Sequence, residues 1–70
     1  MNTSELENNI KVLRAAHNWT QDELAQRVSV TRKTINTIEN RRFTPSTVLA
    51  IRIARAFCTT VEEVFHLPEE

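Results

Sequence analysis

Lys33, Asn36, Thr37 and Asn40 stand at i, i+3, i+4 and i+7, the spacing that gathers side chains on one face of a helix. Arg32 and Thr34 flank the group at its start, and Thr31 precedes it. Ile35 and Ile38 fall on the opposite side and define the buried direction. An exposed helical face usually mixes glutamate with lysine, because such pairs add stability. This face carries cations, amides and hydroxyls and no carboxylate. Its chemistry is hydrogen bonding to an anionic, acceptor-rich partner. Lysine or arginine suits guanine, asparagine suits adenine, and a threonine methyl can touch that of thymine. The competing interpretation is a plain solvated surface.

The surroundings favour the anionic partner. A helix start offers free N–H groups and a partial positive charge, both here and at Thr20 and Gln21. Arg41 and Arg42 extend the cationic run beyond the helix. Formal net charge is zero, with nine basic and nine acidic residues. Residues 8–58 nevertheless hold all nine cations against only Asp22, Glu23 and Glu39, a net of +6. The carboxylates otherwise gather at the ends, as Glu5, Glu7, Glu62, Glu63, Glu69 and Glu70. A basic body between acidic ends points to an anion on one face. The expected arrangement is a helix in a DNA groove with phosphate contacts on either side.

Five helices must position that face. Residues 8–17 place Ile10, Leu13 and His17 on one stripe, and Asn18 is a suitable stop. Thr20 caps a second helix, with Glu23 completing a capping box and Trp19 stapled onto Leu24. Thr31 caps a third after only Ser29 and Val30, so the two helices must cross steeply. Pro45 and a cap at Thr44 or Ser46 open a fourth, with Leu49, Ala50, Ile53, Ala54 and Phe57 inward. Thr60 caps a short fifth helix, again with a box glutamate at Glu63, and Pro68 follows. No segment alternates strongly enough to demand a strand. The expectation is an all-α, compact five-helix domain over residues 8–66, with short acidic termini at 1–7 and 67–70.

Seventy residues make one domain. A core this small rarely supplies more than about 3–5 kcal/mol, so it needs close helix packing or a partner chain. Cys58 is alone, which excludes a disulfide, and His17 and His66 lack metal-ligand spacing. No metal, cofactor or small-molecule ligand is expected. A single thiol, no apolar run of membrane length and no signal peptide together predict a cytoplasmic protein. Trp19 is expected in the core, His17 at a helix end, His66 exposed and Cys58 as an apolar filler. Glu62 and Glu63 are explained by helix capping. No catalytic set of side chains is visible, so an enzyme is not expected.

The stretch TQDELAQRVSVTRKTINTIENRRFTPS resembles the helix-turn-helix of lambdoid phage repressors, Cro proteins and the small bacterial regulators related to them. That pattern runs loosely T/S-Q-x-x-L-A-x-x-x-G-V-S/T-x-x-x-I-x-x-x-E, then a basic loop with proline. Arg14 and IARAF…VEEVF continue the match, over roughly residues 9–65. The resemblance implies a DNA-binding transcriptional regulator that acts on double-stranded DNA through the major groove. It implies that Gln21 touches phosphate and can brace a base-reading side chain. Thr31, Arg32, Lys33, Asn36 and Thr37 would read bases or adjoining phosphates, and Asn40 and Arg42 would clamp phosphate. Arg14 and Glu39 match an internal salt bridge, which takes Arg14 away from the DNA. Relatives of this kind are typically homodimeric repressors, whose two third helices read a near-palindromic operator about one turn apart. The family usually has glycine where this chain has Ser29, Arg41 and Cys58. If the backbone is kept, these three adopt positive φ at a cost on the order of 1 kcal/mol each.

Apolar residues left over suggest where two copies meet. Val64 and Phe65 point about 100° apart on a helix, so one short helix is not expected to bury Val61, Val64, Phe65 and Leu67 together. Ile51 lies off the inward stripe of the fourth helix. Val61, Phe65, Leu67 and Ile51 are therefore expected in a symmetric patch rimmed by Glu62, Glu63, Glu69 and Glu70. Two rival functions remain. One is an antitoxin built on the same core, weakened because no long extra segment is present to wrap a toxin. The other is a protein-interaction module that has lost DNA binding, disfavoured by the carboxylate-free helical face.

Overall fold

The computed structural model describes residues 5–68. The chain order is β1 (Glu7–Asn8), α1 (Ile10–His17), α2 (Gln21–Arg27), α3 (Arg32–Glu39), α4 (Thr47–Ala56), α5 (Val61–Val64) and β2 (Phe65–His66). The five expected helices are present, and their ends are set by local chemistry. Thr20, Thr31, Ser46 and Thr60 sit in extended geometry, and each side chain accepts the N–H of the residue three positions on. At Thr20 the box is closed by Glu23, whose Oε1 accepts the Thr20 N–H at 2.9 Å. At Thr60 only the forward bond forms, from Glu63 N–H to Thr60 Oγ1 at 3.2 Å. The glutamate of that expected box does not reach back.

Four helices terminate in the same way. Asn18, Ser29, Arg41 and Cys58 have φ of 59°, 62°, 60° and 57°. The N–H of the residue following each returns to the carbonyl five positions back: Trp19 to Arg14, Val30 to Ala25, Arg42 to Thr37 and Thr59 to Ala54, at 2.9–3.0 Å. This is the double-bonded turn that normally ends on glycine. Ser29, Arg41 and Cys58 thus hold the positive φ that an unchanged family backbone requires. Cys58 is exposed in this role, which corrects its expected place as an apolar filler.

The core is continuous and apolar. Ile10, Leu24, Ile35, Ile53 and Val64 are fully buried, joined by Ile38, Val28, Ala25, Ala54, Phe57 and Phe65. Leu13, Trp19, Val30, Leu49 and Val61 pack against it from the rim. Trp19 is half-buried and sandwiched. His17 stacks on it at 4.5 Å, Phe57 lies 5.4 Å away, and the Arg27 guanidinium sits 4.1 Å from its ring centre.

Two further expectations are corrected. A strand pair exists: β1 and β2 run antiparallel, with Glu7 opposite His66 and Asn8 opposite Phe65. Two residues per strand are too few for any alternation to show in sequence. The ladder is fixed by neighbours instead. Asn9 N–H donates to Val64 O at 2.9 Å, Asn9 Nδ2 to Glu63 O at 3.1 Å, and Asn8 Nδ2 to Ile38 O at 3.0 Å. Leu6 and Glu7, expected in the short acidic terminus outside residues 8–66, pack with the domain. The second correction concerns Phe65, expected to be left over for a partner. Val64 and Phe65 are both buried in the chain's own core. At Phe65 the backbone turns to φ −122°, ψ 139°, so the 100° separation of a continuing helix no longer applies.

Candidate nucleic-acid interface

α3 is anchored by its apolar side and presents its polar side. Ile35 and Ile38 are buried, whereas Arg32, Lys33, Asn36 and Asn40 are exposed and Thr34 and Thr37 half-buried. The helix is tied down further by charge. Arg14 reaches from α1 to Glu39 with two parallel bonds, Nε to Oε2 at 2.7 Å and Nη2 to Oε1 at 3.1 Å. Its third nitrogen, Nη1, donates to Trp19 O at 3.0 Å. Both side chains are nearly enclosed, at 15% and 7% exposure, so this paired fork is shielded from competing water. The hydrogen bonds that Arg14 donates to Glu39 hold its guanidinium above the usual arginine range, against the opposing pull of burial.

Gln21, at the first turn of α2, joins α2 to α3. Its Nε2 donates to Glu39 Oε1 at 3.2 Å and to Asn36 Oδ1 at 3.3 Å. Asn40 Nδ2 donates to the same Asn36 oxygen at 3.1 Å. A cleft between the starts of α2 and α3 is lined by Arg14, Thr20, Gln21, Asp22 and Arg32. The residues singled out at the two helix starts thus meet on one side of the molecule.

The hydroxyls are less free than the sequence suggested. Thr31 Oγ1 caps α3 by accepting Thr34 N–H at 3.3 Å, and it shares a 3.1 Å bond with Thr34 Oγ1. Thr37 Oγ1 donates back to Thr34 O at 2.9 Å and to Lys33 O at 3.1 Å. Its hydrogen is committed to the helix, leaving the methyl and the oxygen's two acceptor positions. Arg32, Lys33 and Arg42 form no ion pair among the described residues, whereas Arg41 lies 4.0 Å from Glu7. Glu7 also accepts His66 Nε2 at 3.2 Å. Asn8 was not singled out from the sequence. Its Nδ2 holds the carbonyl of Ile38 at the end of α3 across 30 residues, and no local pattern announces such a bond.

A closely joined α2–α3 pair with a carboxylate-free outer face is what a helix-turn-helix requires, and a helix-turn-helix family model matches residues 10–64. The chain belongs to the Cro/C1-type helix-turn-helix family. The uncharacterized HTH-type transcriptional regulator YgzD of Bacillus subtilis is 42% identical to it over 65 residues, covering 93% of this chain and 98% of that protein. An uncharacterized HTH-type transcriptional regulator of Archaeoglobus fulgidus is 48% identical over 61 residues, covering 87% and 86%. Two solved structures share the fold at lower identity. A putative DNA-binding protein from Bacteroides fragilis has a TM-score of 0.77 at 21% identity, covering 87% of this chain and 98% of that one. The hypothetical transcription factor NHTF from Neisseria has a TM-score of 0.75 at 22% identity, over 79% of this chain and 62% of that one. Members of this family are regulators that bind DNA rather than enzymes. Among the described residues no helix is long and apolar enough to cross a membrane.

Proposed function

We propose that this helix-turn-helix protein is a sequence-specific transcriptional repressor that binds a near-palindromic operator as a homodimer. The observation that carries the reading is the outer face of α3. Lys33, Asn36 and Asn40 are exposed there, no carboxylate shares that face, and the Arg14–Glu39 pair fixes the helix from behind. α3 enters the major groove, where Lys33 and Asn36 meet base edges, with Arg32, Thr34 and the Thr37 methyl beside them. Gln21, through its backbone N–H at the start of α2, contacts the flanking phosphates together with Thr31, Asn40 and Arg42. Repression is passive, because a protein seated in the groove blocks what must pass over it.

A groove bordered by Leu6, Ala50, Ile51, Val61, Phe65 and Leu67 supports the dimer. Ile51 is 40% and Leu67 64% exposed, and a two-fold axis through them covers both. Phe65 contributes the edge of a ring that is otherwise core.

Gel-shift titration against genomic fragments, with the protein's own promoter among them, is the test. The expected result is selective retardation that weakens steeply with salt. Equal affinity for every fragment, or none, would overturn the assignment.

A further inference from the structure

The Asn36 amide is oriented by a hydrogen-bond chain whose polarity is set by charge at its far end. Glu39 is the carboxylate that receives the Arg14 fork, so its oxygens only accept. Gln21 must therefore turn its NH2 group, not its carbonyl, toward Glu39, and Nε2 lies 3.2 Å from Oε1. The second hydrogen of that NH2 is directed to Asn36 Oδ1 at 3.3 Å. Asn40 Nδ2 supplies another donor to the same oxygen at 3.1 Å. An amide oxygen has two lone-pair sites, and both are filled. The Asn36 Nδ2 hydrogens have no partner among the described residues, and the side chain is exposed.

We propose that Asn36 reads its base pair as a hydrogen-bond donor only, and so selects guanine rather than adenine. This rests on the reading above, in which α3 lies in the major groove. An asparagine that reads adenine donates to N7 and accepts from the N6 amino group. Here the accepting atom is already occupied, so adenine's amino group would go unpaired unless the chain to Gln21 and Asn40 broke. Guanine presents N7 and O6, which both accept. Lys33, one turn earlier on the same face, is also a pure donor. Arg14 and Glu39, far from the bases, thereby set the polarity of a reading group through Gln21.

The experiment is selection from randomised duplexes with the full chain, repeated with Asn36→Ala and with a Gln21→Leu, Asn40→Ala double variant. In the wild type, the operator position whose preference disappears in Asn36→Ala should be a G·C pair, favoured over A·T by at least about fivefold. Inosine in place of that guanine keeps N7 and O6 and should bind equally well. In the double variant the Asn36 oxygen is released, and the G·C to A·T ratio at that one position should fall toward one, whatever happens to total affinity. An A·T pair at the Asn36 position overturns the donor-only reading while leaving DNA recognition intact. So does a DNA-binding, folded Asn36→Ala protein with every preference unchanged. Failure to enrich any sequence overturns the proposed function itself.

Discussion

Glu39 takes three hydrogen bonds, two from Arg14 and one from Gln21, and is 7% exposed. Removing it leaves a guanidinium almost enclosed without its counter-ion, which costs on the order of 3–5 kcal/mol. In a domain of this size that is most of the stability, so Glu39→Ala should lower the melting temperature by roughly 12–40 °C. An unchanged melting curve would show that water replaces the pair at no cost. The exposed cations should behave differently. Lys33→Ala removes one proposed base contact, costing about 1–3 kcal/mol of operator affinity and relaxing preference at one position. Arg42→Ala removes a proposed phosphate contact, weakening every DNA alike and flattening the salt dependence. Binding curves across salt concentrations separate the two, and identical behaviour of both variants would refute the division. The types and spacing of these residues were legible because period and charge are local properties. The orientation of Asn36 was not, because it depends on a bond to Gln21, 15 residues away, and on a carboxylate whose partner lies on α1.

Helix boundaries were the most legible elements. Hydroxyl caps and the stop at Asn18 act within a few residues of the backbone they satisfy. The same locality explains what was missed. The β1–β2 ladder depends on asparagines reaching carbonyls of Ile38, Glu63 and Val64, and no spacing rule links those positions. The burial of Phe65 follows from that ladder, because pairing pulls the chain out of α5. The glycine-free turns give a prediction at this scale. Ser29, Arg41 and Cys58 hold φ near +60°, which costs a residue with a Cβ about 1–2 kcal/mol. Glycine relieves that but costs about 0.5–1 kcal/mol in chain entropy. The triple variant Ser29→Gly, Arg41→Gly, Cys58→Gly should therefore gain on the order of 1–2 kcal/mol and melt several degrees higher. The same variant removes the Arg41–Glu7 ion pair, which is exposed and contributes little. A lower melting temperature would mean that these side chains stabilise their turns in some other way.

One chain carries one α3, and the described residues extend 31 Å along their longest axis. Two adjacent major-groove sites on one DNA face lie about 34–36 Å apart, so a single copy cannot read both. Doubling the interface adds the binding energies of two half-sites and makes affinity depend on protein concentration. The proposed dimer must leave both α3 faces free. The groove formed by Leu6, Ala50, Ile51, Val61, Phe65 and Leu67 meets that need, since none of these residues lies on α3. Glu62 borders it and Glu63 stands nearby on α5, while Glu69 and Glu70 of the expected acidic rim lie outside the described residues. Because Phe65 is 5% exposed and part of the core, truncating it would unfold the domain rather than only separate two copies. The discriminating changes are at Ile51 and Leu67, which are exposed and can be altered without opening a cavity. An Ile51→Lys, Leu67→Ser variant should melt as the wild type does, within about 1 kcal/mol. It should sediment as a monomer at micromolar concentration and lose operator affinity, while its residual binding to a single half-site is unchanged. A variant that remains dimeric would move the interface off this groove. A wild-type chain that is itself monomeric on and off DNA would remove the two-fold operator altogether.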